Sequence, residues 1–203
     1  MAYYFAEKQW KFCISPLWCR DSHMTITPET RMGTIMDGLP GARRALFARY
    51  HLGGCQSCGF SPNETVASLC ARNGGIEPQE MIAHLLAAHE HDLVFLLSPA
   101  DVKQRLEHAP ETVLIDCRTR EEHEAVAIPG SQFLTQELQQ QLFAADPLQD
   151  IILYDHLGKN VLDTCAWFVG HGMKNTRALQ GGIDAWSREI DPSLPRYQLE
   201  IES

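Results

Sequence analysis

One stretch limits the fold more than any other, Ile151-Ile-Leu-Tyr-Asp-His-Leu-Gly-Lys-Asn-Val161. Four apolar residues, β-branched at the start, make the short run of a strand buried on both faces. A polar, glycine-containing loop then leads into a helical pattern. The same alternation fills the C-terminal half. A helix is expected over 99–107, with Ser98 as cap and Pro99 at the first position, followed by a strand at 112–115 and a helix at 135–143. The strand at 151–154, a helix at 161–172, a strand near 176–179 and a helix at 183–190 complete the series. The expected class is therefore α/β, a parallel sheet with helices on both faces. Ligands of such sheets gather at the carboxyl ends of strands, where loop amides and the next helix's N-terminus can hold an anion. Asp155 stands at that spot, which makes Asp155, His156, Leu157, Gly158, Lys159 and Asn160 the candidate functional loop.

Ahead of residue 92 the pattern changes to short helices. Pro40 can open one whose apolar positions are Ala45, Leu46, Ala48 and Tyr50. Asn63 can cap a second carrying Val66, Leu69 and Cys70, and Pro78 can open a third through Met81, Ile82, Leu85 and Leu86. The expected organisation is an irregular leader over 1–23, a small all-α domain over 24–92 and the α/β domain over 93–203. The leader crowds Tyr3, Tyr4, Phe5, Trp10, Phe12 and Trp18 without periodicity and lacks the features of a signal peptide. Its two readings are an extension ahead of a true start at Met24 and an aromatic arm for a partner.

The small domain carries Cys55-Gln56-Ser57-Cys58, a pair that can chelate a soft metal, cycle as a disulfide or carry a persulfide. It follows a helix rather than opening one, which weakens the low-pKa thiolate reading. A four-ligand site for zinc or an iron–sulfur cluster would add Cys70 and a histidine such as His51 or His84; against this, Cys70 also reads as a small buried hydrophobe. His84, His89 and His91 read as mostly solvated. A net charge of −9 without clustered cations excludes a nucleic-acid partner, and no apolar run reaches the ~18 residues of a membrane span. Seven cysteines without a secretory signal fit a reducing, cytoplasmic setting.

Several motifs of the second half resemble the rhodanese family. Leu114-Ile115-Asp116-Cys117-Arg118, Glu122-His123 and Ile128-Pro129-Gly130-Ser131 are similar to the family's first motif. Gln180-Gly181-Gly182-Ile183-Asp184-Ala185-Trp186 is similar to its closing signature. The resemblance implies scaffold roles: Asp116 and Arg118 as a buried bracket, Gly181-Gly182 as a tight turn and Trp186 in the core. Val126-Ala127 stands where the family has Gly-His. Sulfur-transferring members place a cysteine at the end of the central strand, where its thiolate takes a sulfane sulfur. Aligned on Gly158, this chain has Asp155 at that cysteine, Asn160 at a basic position and Val161 at a serine. A carboxylate carries no sulfane sulfur, so the bland role for Asp155 is to accept loop amides and cap the next helix. An aspartyl nucleophile for phosphate would need a second acid where Leu157 stands. Cys117 and Cys165 read as core.

The helical stretch is similar to the DUF1858-like domains, related to a segment of the iron–sulfur repair proteins. The likeness lies in Ile26-Thr27, Pro40-Gly41-Ala42, the loop from Gly53 to Cys58 and Glu64-Thr65. The joint expectation is a rhodanese-like protein without its active-site cysteine, docking a protein partner in sulfur or iron–sulfur trafficking. The alternatives are a persulfide carrier or thiol redox protein using Cys55 and Cys58, and a structural metal-binding protein.

Overall fold

A computed structural model describes residues 25–53 and 59–197. The expected leader and the Cys55–Cys58 loop lie outside the described residues.

Among the described residues four helices come first, α1 (Met32–Gly38), α2 (Ala42–Tyr50), α3 (Val66–Arg72) and α4 (Pro78–Leu93). They close around one apolar core that includes Met32, Ile35, Leu46, Leu69, Met81 and Leu85. α2 buries Ala42, Ala45 and Leu46, a helical i, i+3, i+4 set, and leaves Ala48 in solvent. α1 was not expected, because seven residues carry too little periodicity. Tertiary bonds hold it, the Met32 N–H donating to Glu64 O and the Gly33 N–H to Pro62 O, both at 2.8 Å. The cap of α3 is Thr65, whose hydroxyl accepts the Ser68 N–H at 3.2 Å. Asn63, expected there, instead accepts from Arg31 at 3.3 Å.

Val94 and Phe95 then lead directly into β1 (Leu96–Leu97), and the rest alternates: α5 (Pro99–His108), β2 (Val113–Asp116), α6 (Arg120–Ala125), β3 (Gln132–Phe133), α7 (Gln136–Ala144), β4 (Ile151–Tyr154), α8 (Val161–Gly170), β5 (Thr176–Leu179) and α9 (Gly182–Glu189). The five strands form one parallel sheet in the order β1-β5-β4-β2-β3. β1, β3 and α6 are additions to the expected series. The two strands have two residues each, and α6 is set by a Thr119–Glu122 capping box rather than by an apolar face.

Side chains of β4 alternate between the two faces of the sheet. Ile151 and Leu153 pack with Leu162, Cys165 and Phe168 of α8, whereas Ile152 and Tyr154 pack with Val102 of α5 and Ile183 and Trp186 of α9. Arg44 of α2 links the helical unit to the sheet unit. Its Nη2 lies 2.9 Å from both oxygens of the buried Asp92, and its Nε lies 2.8 Å from Asp163 of α8.

Two glycines separate backbone freedom from space. Gly182 has φ 59°, and a Cβ there would lie 2.4 Å from Asp155 O and 2.5 Å from His156 O. Gly75 has φ 72° with nothing within 4 Å of the added atom. Urea denaturation should show Gly182→Ala destabilised by about 3 kcal/mol or more, and Gly75→Ala by only about 1 kcal/mol.

Candidate functional site

The loop after β4 is built around its own acid. Asp155 is 8% exposed, and its carboxylate turns back into the loop. Oδ1 accepts the Gly158 N–H, and Oδ2 accepts the Val161 N–H at 2.9 Å. Val161 opens α8, whose cap residue Asn160 makes no side-chain cap bond. Asp155 therefore satisfies an otherwise unpaired donor at the positive end of that helix. Gly158, at φ 75°, lies so close to the next turn that a Cβ would meet Gly181 N at 2.5 Å. On that side, the Ile183 N–H donates to Asp155 O at 2.9 Å and the Asp184 N–H to His156 O at 3.2 Å. The loop's carbonyls thus take the first amides of α9, and its amides take the chain's own carboxylate. An acceptor with a fixed negative charge sits where converging amides would otherwise hold an external anion.

The remaining loop residues spread outward. His156 stacks on Tyr197 with ring centroids 4.3 Å apart, and its Nε2–H donates to Tyr197 O at 3.1 Å. Leu157, Lys159 and Asn160 are exposed. A cleft of about 610 Å³ opens over the loop, with Leu157, Lys159 and Leu162 on one wall and Asp37, Pro40 and His89 of the helical unit on another.

No thiol takes up the position of a nucleophile in the described loop. Cys117 is half-buried beside it, where burial and then the charge of Asp155 push its thiol far up. Burial pushes Cys165 up to about 12, and its Sγ faces Thr176 O at 3.6 Å. Neither supplies a thiolate near neutral pH. Cys70 is buried in the helical core with its Sγ 3.6 Å from Met81 Sδ, whereas His51 is exposed at the C-terminus of α2. Cys55 and Cys58 fall outside the described residues, among which no group of three or more His, Cys, Asp or Glu side chains has the geometry to hold a metal ion. Of the histidines read as solvated, His91 is exposed. His84 is half-buried with Nε2 3.0 Å from Ala45 O, and the half-buried His89 has a buried Nδ1 without a partner. Both follow the inward-facing Met81 and Leu85 at helical spacing.

Behind the loop, β2 ends on a polar network. Asp116 is fully buried. Its Oδ1 accepts the Arg118 N–H and Nε at 3.0 and 2.9 Å. Its Oδ2 accepts Arg118 Nη2 at 2.5 Å, His123 Nδ1 at 2.9 Å and the Tyr154 hydroxyl at 2.8 Å. Arg118 reaches on to the Tyr197 hydroxyl at 2.7 Å, which donates to Glu122 at 2.6 Å. Tyr154, Tyr197 and His123 were not recognised as members from the sequence; the local signals were the Glu122-His123 pair of the first motif and a tyrosine closing an apolar strand. Burial works to raise the Asp116 carboxyl, but the bonds from Arg118, His123 and Tyr154 outweigh it and hold the group below its ordinary value of 3.8. A carboxyl lowered on folding stabilises at pH values above its unfolded value. That contribution is lost as the pH falls through the folded value. Urea denaturation should therefore show wild-type stability falling steeply below about pH 4, and Asp116→Asn lacking that component while losing about 3–5 kcal/mol near neutral pH.

Comparison with known proteins follows this geometry. The chain is 26% identical over 112 residues to the adenylyltransferase and sulfurtransferase UBA4 of Candida albicans, covering 51% of this chain and 26% of that protein. It is 32% identical over 94 residues to the chloroplastic rhodanese-like/PpiC domain-containing protein 12 of Arabidopsis thaliana, covering 43% and 31%. The chain thus spans less than a third of the length of these curated relatives. Among solved structures it is similar to a rhodanese-related protein from Thermoplasma volcanium, with a TM-score of 0.41 at 18% identity over 50% of this chain and 97% of that one. A human single-domain sulfurtransferase gives 0.41 at 19% identity over 47% and 96%. Residues 98–189 match the family model of the rhodanese-like domain, and this segment of the chain is a rhodanese-like domain.

Proposed function

We propose that the chain is an accessory protein of sulfur or iron–sulfur metabolism whose rhodanese-like domain docks a protein partner and transfers no sulfur at its loop. One observation carries this reading: the Asp155 carboxylate occupies the loop's centre and accepts the amides of Gly158 and Val161. Sulfur transfer from thiosulfate needs a thiolate that attacks the outer sulfur and releases sulfite. An oxygen nucleophile forms no stable equivalent, and the high thiol values of Cys117 and Cys165 leave no nearby substitute among the described residues. In this reading Asp155 replaces the family's cysteine. Residues 24–92 form a DUF1858-like domain, the domain boundary lies near residue 92, and the protein works in the cytoplasm.

Intact-protein mass spectrometry after anaerobic incubation with thiosulfate, together with a thiosulfate:cyanide turnover assay, tests the reading. The expected result is no sulfur gain at Cys117 or Cys165 and no turnover that depends on Asp155. Turnover lost in Asp155→Asn would overturn it. A sulfur adduct at Cys55 or Cys58, abolished in Cys55→Ser, would overturn it in favour of a persulfide carrier.

A further inference from the structure

We propose that the helical unit is a lid, hinged at Val94 and held over the loop after β4 by one salt-sensitive latch, the Arg44–Asp163 ion pair.

The two units share little. Among the described residues no apolar cluster crosses between them: one takes residues within 26–88, and the other two take residues within 95–197. Units joined without a large apolar interface move relative to one another by default. The chain passes between them at one residue. Asp92 is buried on the helical side, and Phe95 is fixed on the sheet side, where its carbonyl accepts the Ala178 amide at 2.8 Å and its ring packs against the core that holds Phe168. Val94 stands between, 64% exposed. A change in its φ and ψ disturbs no buried side chain of its own and costs the one turn bond that spans it, from the Phe95 N–H to Asp92 O at 3.0 Å.

One side-chain ion pair crosses the divide. Among the described residues it is Arg44 Nε with Asp163 Oδ1, at 2.8 Å, and the two side chains are 35% and 53% exposed. The other contact of Arg44 differs in strength. Its Nη2 lies 2.9 Å from both oxygens of Asp92, whose side chain is 3% exposed. Parting that pair would strand a buried carboxylate, a loss of about a hundred-fold or more in the folded population. Parting an exposed pair shifts a balance by no more than about five-fold. Arg44 therefore stays with Asp92 on the lid, and Asp163 is the partner that lets go.

Closed, the lid sets Asp37, Pro40 and His89 against Leu157, Gly158 and Leu162 across a gap of about 610 Å³. A gap of that size admits a small molecule and not a folded partner. A protein therefore reaches this face of the loop when the lid is open. That consequence rests on the docking role proposed above, and the motion does not.

Amide residual dipolar couplings of the full chain, aligned in a stretched neutral polyacrylamide gel, report the order of each unit separately. They are compared at about 10 mM and about 1 M sodium chloride, between which the screening length falls from about 30 Å to about 3 Å. At low salt the two units should show equal degrees of order. At high salt the order of the helical unit should fall below that of the sheet unit, and relaxation of the Gly158 and Leu162 amides by a neutral gadolinium chelate should rise about two-fold or more. Asp163→Asn should reproduce the high-salt behaviour at low salt and respond no further to salt. Arg44→Lys keeps a cation beside Asp92 without a fork that spans both carboxylates, and should do the same. Equal order of the units at both salts, a wild-type salt response in Asp163→Asn, or units already independent at low salt would overturn the inference. Thiosulfate turnover in a chain whose lid opens with salt would sink the docking role alone, and an inactive chain whose units stay locked would sink this inference alone.

Discussion

A buried carboxylate that accepts two amides of its own loop organises the centre of this protein. Hydrogen bonds to an ionised group are each worth about 1.5–3 kcal/mol when water is excluded. Those of Asp155 hold Gly158 at a positive φ and start α8 at Val161. The consequences spread through the backbone. Because the loop is closed from within, its carbonyls are free to receive the first amides of α9, and Gly181-Gly182 can approach without a side chain between. One acid therefore couples β4, α8 and α9.

Around that centre, charge is handled by enclosure in pairs. Asp116 and Arg118 are both buried, and they are tolerable there because every strong donor and acceptor finds a partner, out to Glu122 and Tyr197. Asp92 is buried too, and among the described residues Arg44 alone supplies its ionic contact. The same guanidinium also reaches Asp163, one turn beyond the loop. The helical unit is thus fastened to the sheet unit at the root of the helix that Asp155 starts, and the geometry of the cleft follows from these two fixings.

How far the sequence reveals this depends on the range of the forces involved. β4 is legible to the residue as a short apolar run bounded by polar residues, whereas β5, Thr-Arg-Ala-Leu, is legible by its place in the alternating series. So are the starts of α4 and α5, where proline marks the first position. β1 and β3 are invisible, since two residues show no alternation, and α6 buries no residue and so carries no apolar stripe. Asp116 and Arg118 stand two residues apart in one motif and can be paired on paper. Tyr197 cannot, for its partners Glu122 and Arg118 are 75 and 79 residues away. In the same way, the loop residues Asp155 to Asn160 are legible as a group, but the wall that Asp37 and His89 place opposite them is a tertiary fact.

The join at Val94 and Phe95 bears on how the chain can be divided. The family match starts at residue 98, yet β1 lies at Leu96–Leu97, and Ala178 and Gln180 of the β5 segment donate their amides to Phe95 and Leu97. A fragment cut at the margin of the match would strip that outer strand and leave β5 as a bare sheet margin with unsatisfied donors, a template for strand addition between molecules. The piece that keeps this outer strand must begin upstream of the match, at Phe95 or earlier, within two residues of the end of α4 at Leu93.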